Sequence, residues 1–378
     1  MLGIGLSLLA ALHWYIWVRL VRDTALPEPW RTVATLSLVI LYVCIPASLY
    51  LYVVRHHLAK YLMWPGFIWM GMMLILPSWL VFLDIVRVAA NLLEGTALAA
   101  SGPLPARTLG GAAALLAGVT AMVALLEGLR PPRLREVQVP LKRLPLRMDG
   151  TQVVHLTDLH VGPTLGRKFI EALVRRSNAL APDVVVITGD LVDGRVHDLA
   201  HAVAPLRELK ARWGVYFVTG NHEYYSGVNE WIGHLGTLGI TVLRNERVAI
   251  GDTPDTFDLA GIDDHTGHGY PGHGPDLACA LAGRDPSREL VLLAHQPRAV
   301  TEAAEYGVGL QISGHTHGGQ IWPFTWVVRL SQPYVAGLAR LKDTLLYVSR
   351  GTGYWGPPIR LVAPAEITRI TLRAVTDG

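Results

Sequence analysis

At 378 residues, with a mean hydropathy of +0.33 and only 17% charged side chains, the chain is longer than one typical domain and too apolar for an ordinary soluble enzyme. A formal net charge of +3 supplies no strongly basic surface, so nucleic acid is not an expected partner. Two cysteines, Cys44 and Cys279, are too few for a disulfide framework or a thiolate metal site.

The apolar excess sits in the first third of the chain. Residues 2–21, 33–54, 67–93 and 108–129 are long apolar runs, and about 20 such residues in a helix cross a hydrocarbon core of about 30 Å. Four transmembrane helices are predicted within residues 1–130, making the chain a multi-pass protein of the cell membrane with the bilayer as a partner. The first run lacks the basic start and the small-residue cleavage site of a signal peptide. Aromatic residues cluster near the run ends, including Trp14, Trp17, Tyr50, Tyr52, Tyr61 and Trp64, as suits the headgroup zone. Pro46 and Pro77 fall inside the second and third runs and predict kinks that neighbouring membrane helices tolerate. Asp84 and Arg87, one helical turn apart, are read as an i,i+3 ion pair near the end of the third helix.

Arg19, Arg22, Arg31 and Arg107 fall on one side of this topology, and Arg55, Lys60, Arg130, Arg133 and Arg135 on the other. The positive-inside rule places the C-terminal part in the cytoplasm by that narrow count, although the flanks of the first helix alone point the other way. Residues 131–149 read as a basic, Pro-containing connector, whose cationic side chains suit anionic headgroups at about 1 kcal/mol each.

Beyond about residue 136, short β-rich apolar runs alternate with helical stretches. Residues 153–156, 184–187, 215–218, 290–293 and 310–312 read as buried strands, and residues 166–181 and 198–212 carry helical periodicity. That alternation predicts β-α-β units of an α/β domain, whose reactive groups gather beyond the carboxyl ends of the strands. Five motifs fall at those places: Asp158-Leu-His160, Gly189-Asp190, Gly220-Asn221-His222-Glu223, His295, and Gly314-His315-Thr316-His317-Gly318-Gly319-Gln320.

The residue types indicate metal chemistry. Asp158 and His160 stand two apart in a loop and can face one cation, and Asp190 follows a glycine that permits close backbone approach, as suits a bridging carboxylate. Asn221 adds a carbonyl oxygen, and His295, His315 and His317 add imidazoles. This N/O set suits two divalent ions, Mn, Fe or Zn, about 3.5–4 Å apart, between which a water becomes acidic enough to attack phosphorus. His222, beside Asn221, is then the residue to protonate the leaving oxygen. Glu223 is expected to orient a neighbour rather than to bind metal.

The motif set resembles the calcineurin-like metallophosphoesterase superfamily, and the Gly-His-Thr-His-Gly-Gly-Gln form is similar to that of its membrane-associated bacterial branch. The resemblance covers residues 150–372. It implies a two-sheet αββα sandwich, with Asp158, His160, Asp190 and His317 around one metal and Asp190, Asn221, His295 and His315 around the other. It also implies His222 as general acid and a phosphate monoester, diester or pyrophosphate as substrate, including lipid- or nucleotide-linked ones such as a UDP-linked diacylglucosamine. The contrasting reading is a membrane sensor or transporter regulated by a ligand-binding phosphoesterase-like domain. Oligomeric state has no signature in the sequence.

Two further stretches stand out. Residues 261–273, with Asp263, Asp264, His265, His268 and His273, are read as a flexible solvated loop rather than a third metal site, with Asp263 and Asp264 bordering the active site. His197, His201 and His234 are expected at the surface. The loop from Gly351 to Pro358 carries Tyr354 and Trp355, read equally as substrate contacts or as closure of the second sheet.

Overall fold

The computed structural model describes residues 2–54, 59–92 and 105–375. It divides into two compact units. The first comprises Met1–Leu129 with two short later segments, Ile321–Phe324 and Gly356–Val362, and the second comprises the rest.

The first unit is built from α1 (Leu2–Trp17, continued by a π turn at Val18–Arg22), α2 (Trp30–Val53), α3 (Ala59–Leu92) and α4 (Ala106–Gly128). All four are long and apolar enough to cross a bilayer, with windows of mean hydropathy 1.6 to 2.1. They are apolar around most of their circumference, so no polar face competes for water and the backbone must satisfy its own hydrogen bonds, as it does in a helix. Because lipid is as apolar as leucine, side-chain hydrogen bonds and close contacts join the helices instead. Trp69 donates to His13 Nε2 at 2.9 Å, Trp17 to Thr35 at 2.9 Å and Trp79 to Thr120 at 3.1 Å. The Arg360 N–H donates to the Ala124 carbonyl of α4 at 2.9 Å, and a Cβ at Gly128 would overlap the Pro358 carbonyl. Pro46 and Pro77 lie within continuous helices, and α3 holds a third proline, Pro65.

Asp84 pairs across helices with Arg19 of the π turn and accepts a 2.8 Å hydrogen bond from Tyr15 of α1. Helix packing brings that guanidinium to the carboxylate, so an i,i+3 pair with Arg87 is not what neutralises Asp84. Of the orientation-setting residues, Arg55 lies outside the described residues.

The second unit contains two six-stranded mixed sheets. Their strands are β1 (Arg133–Leu141), β2 (Gln152–Leu156), β3 (Val184–Thr188), β4 (Val215–Val218), β5 (Thr241–Val242), β6 (Glu246–Asp252), β7 (Asp255–Gly261), β8 (Leu290–Leu293), β9 (Leu310–Ser313), β10 (Gly337–Leu341), β11 (Thr344–Val348) and β12 (Glu366–Ala374). The first sheet runs β1-β12-β2-β3-β4-β5 and the second β10-β11-β9-β8-β7-β6. All five predicted strands are present as β2, β3, β4, β8 and β9, and in each of them nearly every side chain is buried. Residues Arg133–Leu141, read from sequence as part of a connector, form β1, paired in parallel with β12 along its whole length.

Val153, Val184, Val186 and Val218 of the first sheet pack against Val291, Leu293, Leu310 and Ile312 of the second to form the inner core. The outer face of the first sheet is covered by α5 (Arg167–Asn178), α6 (Val196–Val203) and α8 (Val228–Thr237), the last preceded by the short α7 (Asn221–Ser226). The second sheet packs outward on α9 (Leu277–Leu281) and α10 (Val300–Glu305), and a further short helix, α11, spans Thr325–Ser331. Helices, sheet, sheet and helices form the predicted αββα sandwich.

Candidate metal centre

The loops after β2, β3, β4, β8 and β9 converge, bringing every predicted site residue to one place. Asp158, His160 and His317 form one cluster, and Asp190, His295 and His315 another, each with its ligand atoms within 4.8 Å of one another. Asp190 connects them: its carboxylate is 3.2 Å from His295 Nε2 and 3.8 Å from His160 Nε2. Asn221 Oδ1 lies 3.2 Å from His295 Nε2, and the Nε2 atoms of His160 and His317 face each other at 3.1 Å. The His315 N–H donates to the Asp158 carboxylate at 3.0 Å, which ties the last motif to the first.

Local backbone geometry explains how such short loops aim so many side chains inward. Among the described residues, eleven non-glycines have positive φ, and five of them are Asp158, His160, Asp190, His315 and His317. A left-handed backbone costs an ordinary residue about 1–2 kcal/mol, and such strain persists only where the surroundings enforce it. The glycines serve the same convergence. A Cβ on Gly220 would overlap Asp190, and Gly189, at φ +82°, lies against the Gly220 backbone.

The donor set fits cations. His295 Nδ1 donates to the Thr188 carbonyl at 2.7 Å, so Nε2 is the ring nitrogen that faces Asp190, Asn221 and, 3.2 Å away, His315 Nδ1. Four electron-rich atoms around one point need positive charge between them. Burial opposes charge on His295, yet the carboxylates of Asp190 and Asp158 raise its pKa well above the ordinary imidazole value, so a proton on Nε2 supplies the positive charge that a bound cation would replace. Burial likewise pushes Asp190 up, but His295, His222 and His160 outweigh it and hold the carboxyl well below its usual range. Burial and the neighbouring His295 lower His315 to about 4, leaving a neutral imidazole as a ligand requires.

Residues 151–319 match the family model described as calcineurin-like phosphoesterase. The chain is 45% identical over 274 residues to a transmembrane protein with metallophosphoesterase domain from Bos taurus, a match covering 69% of this chain and 62% of that one. It is 39% identical over 248 residues to a metallophosphoesterase of Helicobacter pylori, covering 65% of each. A metallophosphoesterase from Aquifex aeolicus is 34% identical over 247 residues, covering 64% of this chain and 92% of that relative. The chain belongs to the calcineurin-like phosphoesterase family. It spans less than two thirds of the length of the first two of these relatives. Its four apolar helices and its transmembrane-named relatives make this calcineurin-like phosphoesterase a membrane protein.

Two carboxylates complete the site. Asp193, which belongs to none of the five motifs, accepts from His160 Nδ1 at 2.8 Å and from His222 Nδ1 at 2.7 Å. Nothing in the sequence around it marks a role. Burial opposes a charge on His222, but Asp190, Asp193 and Glu223 together raise it to about 9. Glu223 accepts from the N–H groups of Asp190 (3.0 Å), Leu191 (2.8 Å) and Gly220 (2.7 Å), holding two metal loops together, so its expected orienting role is what the structure shows.

The stretch at 261–273 is anchored at its start and exposed over much of the rest. Asp263 is buried and takes a two-pronged salt bridge from Arg244, at 3.1 and 2.8 Å, while Asp264 accepts from Gln296 at 2.9 Å. Arg244, which lies before the stretch in sequence, supplies this anchor. In the late Gly/Pro loop the two aromatics part company: Tyr354 is buried and Trp355 is exposed.

Proposed function

We propose that this chain is a membrane-anchored phosphoesterase that holds two divalent ions, Mn, Fe or Zn, in the paired clusters and hydrolyses a phosphate ester. The observation that carries the reading is the place of the Asp190 carboxylate, 3.2 Å from His295 Nε2 of one cluster and 3.8 Å from His160 Nε2 of the other, with the His222 backbone N–H donating to it at 2.9 Å. In this reading Asp158, His160, Asp190 and His317 hold one ion, and Asp190, Asn221, His295 and His315 hold the other. When bound, the ions supply Lewis acidity and an acidified nucleophilic water. The protein's own residues do the rest. The Asp193 carboxylate fixes His222 through Nδ1, which leaves Nε2 to carry a proton to the departing ester oxygen. The Asp193 carboxylate on Nδ1 favours the protonated imidazole.

The helices anchor the catalytic unit at a membrane, which suits a lipid-linked substrate, diester, monoester or pyrophosphate. The charge count of the loops favours a cytoplasmic catalytic unit of residues 150–372 together with β1. A ligand sensor would need neither a complete donor set nor a proton donor poised beside it.

The test is hydrolysis of an aryl phosphodiester and an aryl monoester by the full chain in detergent with added Mn, with bound metal measured in parallel. Wild type should turn over one ester, Asp190→Asn should lose bound metal and activity, and His222→Asn should keep metal while losing about 10²–10⁴-fold in rate. Turnover that survives in both variants would sink the reading.

A further inference from the structure

Two large aromatic side chains flank His222 and face solvent. Tyr225, one turn along α7, has its ring centroid 5.5 Å from that of His222 and is 65% exposed. Trp355 has its centroid 6.3 Å away and is 51% exposed. Both meet the imidazole at steep angles, 67° and 76°, so that their edges or faces, rather than a stacked sandwich, border it.

Trp355 is held there by an unusual amount of main-chain bonding. Its N–H donates to Gln320 Oε1 and its carbonyl accepts from Gln320 Nε2, both at 2.9 Å. Gln320 closes the Gly-His-Thr-His-Gly-Gly-Gln motif and itself sits at φ +46°. Two residues earlier, the Gly353 N–H donates to the Asp158 carbonyl at 2.9 Å, and the Thr352 N–H to that of Thr157 at 2.7 Å. The metal loops therefore position Trp355 through its backbone, while about half of the residue's surface stays open to solvent. An indole whose main chain is fixed in this way, and whose ring borders His222 and is left open, is suited to a ligand rather than to the core. Exposing two such rings also costs hydration free energy that a stacked ligand would recover.

We propose that Tyr225 and Trp355 form a stacking subsite for a flat, apolar leaving group, such as an aryl or heteroaromatic ring. This rests on the reading of His222 as the group that protonates the leaving oxygen, because that role puts the leaving group, not the transferred phosphoryl, beside His222. Gln320 is then a positioning residue that joins the metal motif to the wall of the subsite.

The experiment compares leaving groups of similar basicity but different shape: benzyl and butyl esters of phosphate, as monoesters and as methyl diesters, with the full chain in detergent and Mn. The wild-type kcat/KM ratio of benzyl to butyl should be about tenfold, the size of a good stacking contact. Trp355→Ala should bring the ratio close to one, Trp355→Phe should restore most of it, and Tyr225→Ala should lower it in part. The same comparison is made by calorimetric binding of benzylphosphonate and butylphosphonate, which needs no turnover. A wild-type ratio near one, or a tenfold ratio untouched by Trp355→Ala, overturns the subsite. If no ester is hydrolysed, the phosphoesterase reading fails, and the phosphonate affinities alone decide the subsite: a benzyl preference lost in Trp355→Ala upholds it, and equal affinities reject it.

Discussion

The two units bury polar groups in opposite ways. In the helical unit, buried polar side chains such as His13 and Ser48 are neutral hydrogen-bonding groups, and the Asp84 carboxylate is paired with Arg19. The sandwich instead gathers Asp158, Asp190, His160 and His295, each at most 2% exposed, at a single point. Uncompensated buried charge is among the most destabilising features a fold can carry. The difference teaches that the helical unit is stabilised by its own packing, whereas the centre of the sandwich gathers carboxylates and imidazoles that hold protons or divalent cations between them.

Removing metal should separate the two units most sharply. With EDTA the catalytic unit should lose the linkage stabilisation of bound ions, about 2.7 kcal/mol for a ligand at a hundred times its Kd. The helical unit should keep its melting temperature. Scanning calorimetry of the full chain in detergent should therefore show one transition that moves with chelation and one that does not; two transitions that move together would erase the contrast. Asp190→Ala should reproduce the chelated state in the presence of excess Mn and lower activity by about 10³-fold, as expected when transition-state charge stabilisation is removed.

A smaller effect tests the electrostatics of the centre. His222 has its pKa raised from 6.5 to about 9 by carboxylates that include Asp193. A raised pKa keeps the imidazole protonated at lower pH and loses the proton as pH rises through the shifted value, so activity should fall on the alkaline side. Asp193→Asn removes one of those charges, and the alkaline limb of kcat should move to lower pH, with a rate loss of about 10–100-fold, the usual size for a residue that orients a functional imidazole. A limb that stays in place would assign it to another group.

Much of this contrast is legible in the sequence alone. Four apolar runs are a strong signal because crossing a bilayer leaves few alternatives. The metal residues are legible because each follows a short buried strand, and parallel strands must present their carboxyl ends together. What escapes depends on contacts distant in sequence. Arg133–Leu141 carries alternating Val137, Val139 and Leu141, yet its arginines and proline dominate, and its partner β12 lies more than two hundred residues away. Asp193 has no local signature, and its role follows from where His160 and His222 come to rest. The anchor of residues 261–273, Arg244, sits on the far side of two strands.

Within the helical unit the expected effects are smaller and steric. Gly128→Leu places a side chain where the Pro358 carbonyl lies, so overpacking should cost about 1–3 kcal/mol, read as a drop in the chelation-insensitive transition. Asp84→Asn is the gentlest change. It keeps the volume and an acceptor for Tyr15, whose hydroxyl donates to Asp84 at 2.8 Å, but removes the charge facing Arg19. Arg19 retains Asp23 at 2.6 Å as a second counter-charge, so the guanidinium is not left bare. The expected loss is therefore about 1 kcal/mol, within the range found for polar contacts between membrane helices, and it should appear in that same transition with the metal-dependent one unmoved. Should Asp84→Asn instead lower metal affinity or turnover, the helices would be more than an anchor, and the division of labour drawn between the two units would have to be redrawn around that ion pair.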